Sequence, residues 1–217
     1  MKPPPWLLVL ALTLLLGNCA SDLPTNYQGP DAGAIALSLA AGHVPPEHAE
    51  IWHFSLFLST GTEADSENPK ARVDWPKYRF FVSHANPDFH DVDKSDGYVY
   101  LLHLRAGTYT IYSFQLRRFI GSYYRADARL PLAVRVRPGR VTYIGSYTAT
   151  LLDPSANCRT FADTCSRFGV LLSDQSKRDI EILKRLYPQE PWGNVAVELP
   201  ADASNKPIGV APYGYGD

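Results

Sequence analysis

Val99-Tyr100-Leu101-Leu102-His103-Leu104-Arg105-Ala106-Gly107-Thr108-Tyr109-Thr110-Ile111 is the stretch whose reading decides the fold. Two runs rich in aliphatic, β-branched and aromatic residues flank one short turn, and neither run contains Pro. Read locally, Arg105-Ala106-Gly107 joins two strands as a hairpin. Working outward, further β-rich runs recur between turn signals at 34–40, 51–59, 78–83, 132–137, 141–151, 168–172 and 195–199, with 97–104 and 108–116 around the turn itself. That spacing is the pattern of a sandwich or barrel. A second hairpin is expected at Pro138-Gly139-Arg140. Along Val134–Val136 and 141–147 the apolar residues alternate as a half-buried strand requires.

One helix is expected, at about 174–187, from SDQSKRDIEILKRLYP beginning at Ser173. Ile180, Leu183, Leu186 and Tyr187 fall at helical spacing, Ser173 or Asp174 can cap the start, and Pro188 ends it. The 18 prolines, 13 tyrosines and single methionine agree with strands and turns rather than a helical bundle. A formal net charge of −1 lacks the basic footprint that nucleic acid or an anionic surface would need from the chain as a whole.

The segment from Val99 to Ile111 resembles the "strand, Leu-x-x-Gly-x-Tyr, strand" signature of transthyretin-like and carboxypeptidase-regulatory-like domains. Val136-Arg137-Pro138-Gly139-Arg140-Val141-Thr142-Tyr143 resembles their closing hairpin. The resemblance covers residues 32–151 and implies a mainly-β, antiparallel β-sandwich of the transthyretin (prealbumin) type, with Tyr109 as a core anchor. The expected domain runs over 32–200 and carries the C-terminal helix. Residues 201–217, with Pro, Gly and Tyr but no periodicity, are expected to be extended or disordered.

The first residues carry a different kind of signal. Lys2 precedes an apolar run from Leu7 to Leu16, about ten residues and too short to span a bilayer permanently. Leu16-Gly17-Asn18-Cys19 closes it and resembles the lipobox of bacterial lipoproteins, with Asn18 standing where Gly, Ala or Ser is usual. The resemblance implies that 1–18 are a signal peptide and that Cys19 becomes an acylated first residue. Ala20 rather than Asp after the Cys implies sorting to the outer membrane, facing the periplasm. Several acyl chains, at about 0.8 kcal/mol per buried methylene, would make the anchor permanent. About 200 residues remain, enough for one well-filled domain, and 20–31 (ASDLPTNYQGPD) reads as the tether.

The chain has three cysteines, an odd count for an exported protein. With Cys19 acylated, Cys158 and Cys165 are left to pair. A disulfide there closes a short loop worth about 2–2.5 kcal/mol by chain entropy. Loop 83–97 (SHANPDFHDVDKSDG) is the most chemically loaded. His84, His90, Asp91 and Asp93 are candidate ligands for a divalent cation, as part of a binder or hydrolase. Asp91-x-Asp93-x-Ser95 resembles the start of a calcium loop, with Asp96 in place of the sixth-position Gly and Leu102 in place of the closing Glu.

Arg117-Arg118-Phe119-Ile120-Gly121-Ser122-Tyr123-Tyr124-Arg125 is basic and aromatic, which suits sugar stacking or a lipid surface. Arg118, Tyr123 and Tyr124 are its candidate contacts. His43, His48 and His53 recur every five residues, which places them on no common face of a helix or strand. The sequence contains no G-x-S-x-G, no H-E-x-x-H, no phosphate-cradling Gly loop and no dinucleotide fingerprint, and it calls for no cofactor. The expectation is a lipid-anchored envelope protein serving as a non-enzymatic interaction or structural module, with an envelope protein as its partner.

Overall fold

The computed structural model describes residues 23–42, 51–60, 70–75, 78–79, 83–84, 86–90, 95–119, 123–152, 168–201, 207–211 and 214–215. Its elements are β1 (Ala32–Gly42), β2 (Ile51–Thr60), β3 (Lys70–Trp75), β4 (Tyr78–Arg79), β5 (Ser83–His84), β6 (Phe89–His90), β7 (Ser95–Arg105), β8 (Gly107–Phe119), β9 (Tyr123–Val136), β10 (Val141–Leu151), β11 (Phe168–Ser173), α1 (Ser176–Leu186), a 3-10 turn (Trp192–Asn194), β12 (Val195–Val197), β13 (Pro207–Ala211) and β14 (Gly214–Tyr215). Among the described residues the chain is mainly β, with two large sheets and one α-helix. The larger sheet runs β13-β11-β10-β1-β7-β6, with β12 also on β10; the smaller runs β14-β9-β8-β2-β3; β4 and β5 form a separate pair.

Both expected hairpins are instead arches between the sheets. β7 pairs with β1 in the larger sheet, and β8, one residue on, pairs with β2 and β9 in the smaller. Likewise β9 belongs to the smaller sheet and β10 to the larger. A short Gly turn looks the same in sequence whether the second strand pairs with the first or crosses over it. What distinguishes them here lies elsewhere in the chain: the Ala106 N–H donates to the Asp31 carbonyl, and the Gly139 N–H to that of Ala32. The start of β1 thus holds both arches. Gly139 has φ +63°, which suits its place in the turn. Tyr109 is buried, as expected of the anchor, and its hydroxyl donates to the Arg105 carbonyl at 2.7 Å across the arch.

The antiparallel expectation also needs correction, because β1 and β10 run parallel and so do β10 and β12. The β1–β10 pair shows that β10 is not half-buried: every residue from Val141 to Tyr147 is buried. Its two faces serve two clusters. Ile144, Tyr147 and Ala149 join Ile35, Leu37 and Leu39 of β1 and Phe54, Leu56, Leu58, Phe114 and Leu116 of the smaller sheet in one core. Val141 and Tyr143 join Ala34, Ala36, Ala40, Val99, Ile182 and Leu183 in a second, under α1.

The pattern along α1 differs from the expected one by a small rotation. Asp179, Ile182 and Leu183 are its buried residues, Ile180 and Tyr187 pack at the margin, and Leu186 is 48% exposed. Gln175 holds the cap position, while Asp174 accepts from the Ser176 N–H at 2.9 Å. The run at 78–83 resolves into β4 and β5, and 132–137 proves to be the end of the long β9. In β9 the register slips across Leu130-Pro131, where a missing N–H breaks no ladder bond.

Two segments outside the expected core strands close the edges. Within the expected tail, β13 pairs with β11 and β14 with β9, one on each sheet. At the opposite edge the Tyr100 hydroxyl donates to the Asp74 carbonyl, tying β7 to β3. Leu23 joins the main core, and the Tyr27 N–H and His103 carbonyl form one of two backbone bonds that set 25–27 beside β7. Arg105 donates to Asp31 at 2.9 Å, and Tyr27 to Asp31 at 2.5 Å. The residues expected to be tether are therefore docked from Leu23 onward.

A bulge sets the face of β10. Ala36 pairs with Tyr143 and Ser38 with Ser146, so β10 spends one extra residue there, and Gly145 takes φ +118°. A Cβ at this position would also meet the Leu172 Cδ1 at 2.3 Å. Gly145→Ala is expected to cost about 1–3 kcal/mol, read as a lower midpoint in urea unfolding with the slope unchanged.

Candidate functional site

Of the sequence-derived site residues, Cys19, Cys158, Cys165, Asp91 and Asp93 lie outside the described residues. His84 is in β5, paired with Tyr78 of β4, while His90 is in β6 of the larger sheet, opposite Asp96. The His90 Nδ1 stands 2.5 Å from the Asp96 Oδ1, so this imidazole is held by the neighbouring strand rather than by His84. Among the described residues no three of His, Cys, Asp and Glu converge as a metal site would require. In the backbone register of the basic-aromatic run, Arg118 lies opposite Tyr124 and Phe119 opposite Tyr123, at the end of the β8–β9 pair, with Tyr215 of β14 opposite Tyr124.

Two polar clusters escape a reading of the sequence. The first lies under α1. The Asp179 side chain is fully buried and accepts from Ser38 at 2.6 Å, Tyr143 at 2.7 Å and the Arg178 Nε at 2.8 Å. Ser38 and Ser146 are 2.8 Å apart, and the Arg178 Nη2 stands 3.5 Å from Ser146. A hydroxyl has one proton, and a carboxylate only accepts. Ser38 must then donate to Asp179, and Ser146 to Ser38, so the ring has Arg178 as its donor at one pole and Asp179 as its acceptor at the other. Burial first, and then the Asp179 charge, push the Tyr143 phenol far above its usual range, which keeps it a donor. Arg178 also lies 3.6 Å over the Phe89 ring. The signal available in sequence was Asp179 three and four places before Ile182 and Leu183, on the face that packs.

The second cluster sets a serine, a histidine and an aspartate side by side. Ser55 donates to the Asp74 Oδ1 at 2.6 Å, the His53 Nε2 lies 2.9 Å from the Ser55 Oγ and 3.2 Å from the same Asp74 oxygen, and Arg72 donates to the Asp74 Oδ2 at 2.9 Å. A nucleophilic serine hands its proton to an imidazole whose far nitrogen is held by the carboxylate. Here the serine proton goes to the carboxylate, and one imidazole nitrogen faces both partners. Ser55 is also fully buried. The arrangement orders β2 against β3 and does not make a nucleophile. Among the recurring histidines, His53 thus has a use that spacing could not show.

Asp179→Ala removes the common acceptor of two buried hydroxyls and the half-buried Arg178, and is expected to destabilise by about 3–5 kcal/mol. Ser38→Ala leaves the other bonds in place and should cost about 1 kcal/mol; denaturant midpoints of the two variants measure the difference.

Burial raises the Asp74 carboxyl, but hydrogen bonds from His53 and Ser55 and the Arg72 charge together outweigh it, leaving the group below its ordinary 3.8. The unfolded state therefore binds this proton more tightly. The resulting stability is complete above about pH 4 and is lost as pH falls through the lowered folded value. Asp74→Asn should flatten that acid limb, measured as a smaller fall in Tm between neutral pH and about pH 3.

No protein-family model, no curated protein and no solved structure matches this chain.

Proposed function

We propose that this protein is lipid-anchored in the bacterial cell envelope, acylated at Cys19 after removal of residues 1–18 and held at the outer membrane facing the periplasm. The observation that carries the reading is the apolar run Leu7 to Leu16 ending in Leu16-Gly17-Asn18-Cys19. The position of the folded body is consistent with it, because Leu23, four places after that Cys, already lies in the core. The body is a non-enzymatic interaction or structural module built as a β-sandwich of the transthyretin type. Support for the sandwich comes from one core shared by two sheets and from the arch anchored by Tyr109. Support for a non-enzymatic role comes from the Ser55–His53–Asp74 geometry, in which the buried serine gives its proton to the carboxylate rather than to the imidazole. Cys158 and Cys165 pair as a disulfide in the oxidising periplasm.

In the producing bacterium, Cys19→Ala is expected to move the protein from the membrane to the soluble fraction and to abolish incorporation of labelled palmitate. Membrane association and labelling unchanged in the variant would overturn the anchor. The unreduced, unfolded wild-type protein should show no reactive thiol.

A further inference from the structure

We propose that the end of the domain where the two arches lie side by side is a docking surface for an acidic segment of a partner protein, its carboxylates held by Arg135 and Arg140. The inference rests on the reading of the body as an interaction module, for which it names a surface and the chemistry of the partner. It does not need the anchor at Cys19.

The charge is set by two short pieces of sequence. The arches and the strand ends that carry them are Arg105-Ala106-Gly107-Thr108 and Arg135-Val136-Arg137-Pro138-Gly139-Arg140. These hold four arginines and no acid, in a chain whose formal net charge is −1. The fold brings the pieces together, with Gly107 opposite Val136 and Thr108 opposite Arg135. Tyr109 and Val136 face the core, so Thr108 and Arg135 face away from it. A depression of about 390 Å³ lies between the pieces. It is lined by Ala106, Gly107 and Thr108 from one and by Arg135, Arg137 and Pro138 from the other.

Two of these arginines are engaged by acids of the chain itself. Arg105 donates to Asp31 at 2.9 Å, and the Arg137 Nη1 stands 2.6 Å from the Glu198 Oε1. Arg135 and Arg140 are exposed, and among the described residues their side chains have no hydrogen-bond or ion-pair partner. Each arginine that is engaged at this end is therefore engaged by a carboxylate, and two guanidinium groups are left over. A guanidinium presents a planar fork that fits a carboxylate through two hydrogen bonds. The exposed Thr108 hydroxyl beside Arg135 adds a neutral donor.

Size and rigidity favour a peptide over a bare ion. The depression is far larger than one oxyanion needs, and Ala106, Gly107 and Pro138 line it without polar side chains. A peptide covers such a surface, and a lone phosphate does not. Both pieces are also fixed in advance. The Ala106 N–H donates to the Asp31 carbonyl and the Gly139 N–H to that of Ala32, so the arches hang from one strand start and need not be ordered on binding.

The test uses the full-length protein. Fluorescein-labelled hexaglutamate should bind and hexaglutamine should not, with affinity falling as salt rises. Arg135→Gln combined with Arg140→Gln should weaken binding about tenfold. Lys177→Gln combined with Lys184→Gln, the same loss of charge on the exposed side of α1, should leave it unchanged. Equal weakening by both pairs would reduce the effect to net charge and overturn the site. Inorganic phosphate that displaces hexaglutamate at equal concentration would make this a site for free oxyanions and overturn the peptide. Glu63, Asp65 and Glu67 belong to the chain's own connection between β2 and β3. Binding that appears only after Glu63→Gln, Asp65→Asn and Glu67→Gln would show the arginines filled from within and overturn the partner. In cells, a benzophenone side chain in place of Thr108 should give a protein adduct whose crosslinked peptide, read by mass spectrometry, carries clustered Asp and Glu. That adduct should vanish when Arg135→Gln and Arg140→Gln are added. A protein adduct only from the same label at Glu181, on α1, would overturn this surface and leave the interaction module standing. No protein adduct from either position would remove the interaction reading as well.

Discussion

A strand with water on neither face has to serve two packing distances at once. β1 meets that requirement by sorting its side chains by size. Ile35, Leu37 and Leu39 point into the core shared with the smaller sheet, while Ala34, Ala36, Ser38 and Ala40 lie on the side of α1. Large residues fill the space between two sheets, which stand about 10 Å apart face to face. Alanines let a helix settle closely on the opposite face. The neighbour of β1 must follow the same sorting, and β10 does so only because of its bulge. With regular alternation after Tyr143, Ser146 would turn into the core and Tyr147 would turn toward the helix. The extra residue at Gly145 reverses both.

An alanine face is smooth, and apolar contact alone does not fix where a helix stops sliding on it. The ring of Asp179, Ser38, Ser146, Tyr143 and Arg178 supplies the registration that the alanines cannot. Each bond in it has a direction, and a slip along the helix axis would leave several buried donors unpaired. Burying a carboxylate is a doubtful way to gain stability, since a well-packed apolar replacement can be as good. Its value here is that one position of α1 satisfies every member. Asp179 also lies in the first helical turn, where the helix dipole favours negative charge.

How much of this was legible in the sequence follows from the range of each interaction. Strand existence rests on local composition, and most of the long strands could be read to within a few residues. Pairing rests on distant partners. Arg105-Ala106-Gly107 and Pro138-Gly139-Arg140 have the residues of a tight turn and are tight turns, yet the choice between hairpin and arch is made by backbone bonds to Asp31 and Ala32 far upstream. Parallel pairing of β1 and β10 leaves no local trace at all. β3 was missed although Lys70, Arg72 and Asp74 alternate with Ala71, Val73 and Trp75 as a half-buried edge strand should, because six residues with three charges lack a long apolar run, and β13 because Pro and Gly in the tail read as irregular chain. The hairpin tip was readable as a charged aromatic run. The level of β8 relative to Leu23 was not, since that depends on the Asn26–His103 bridge and the Tyr100–Asp74 bond.

The misread turns bear on function as well as topology. Because Ala106 and Pro138-Gly139 are short arches, the two sheets are stitched together closely at the Arg105 end, where the connection 61–69 between β2 and β3 is the longer link. The connections 43–50 and 153–167 join strand ends at the other end, as does the β8–β9 turn. Binding residues gather on loops carried by a rigid scaffold, and more of the connections join strand ends at the Ser95 end than at the Arg105 end. The described N-terminal segment, from Leu23, runs along β7 from that same end toward Arg105. With 23–31 docked, the body carries no free tether over those residues, and the outer face of α1 keeps Lys177, Glu181, Lys184 and Arg185 exposed.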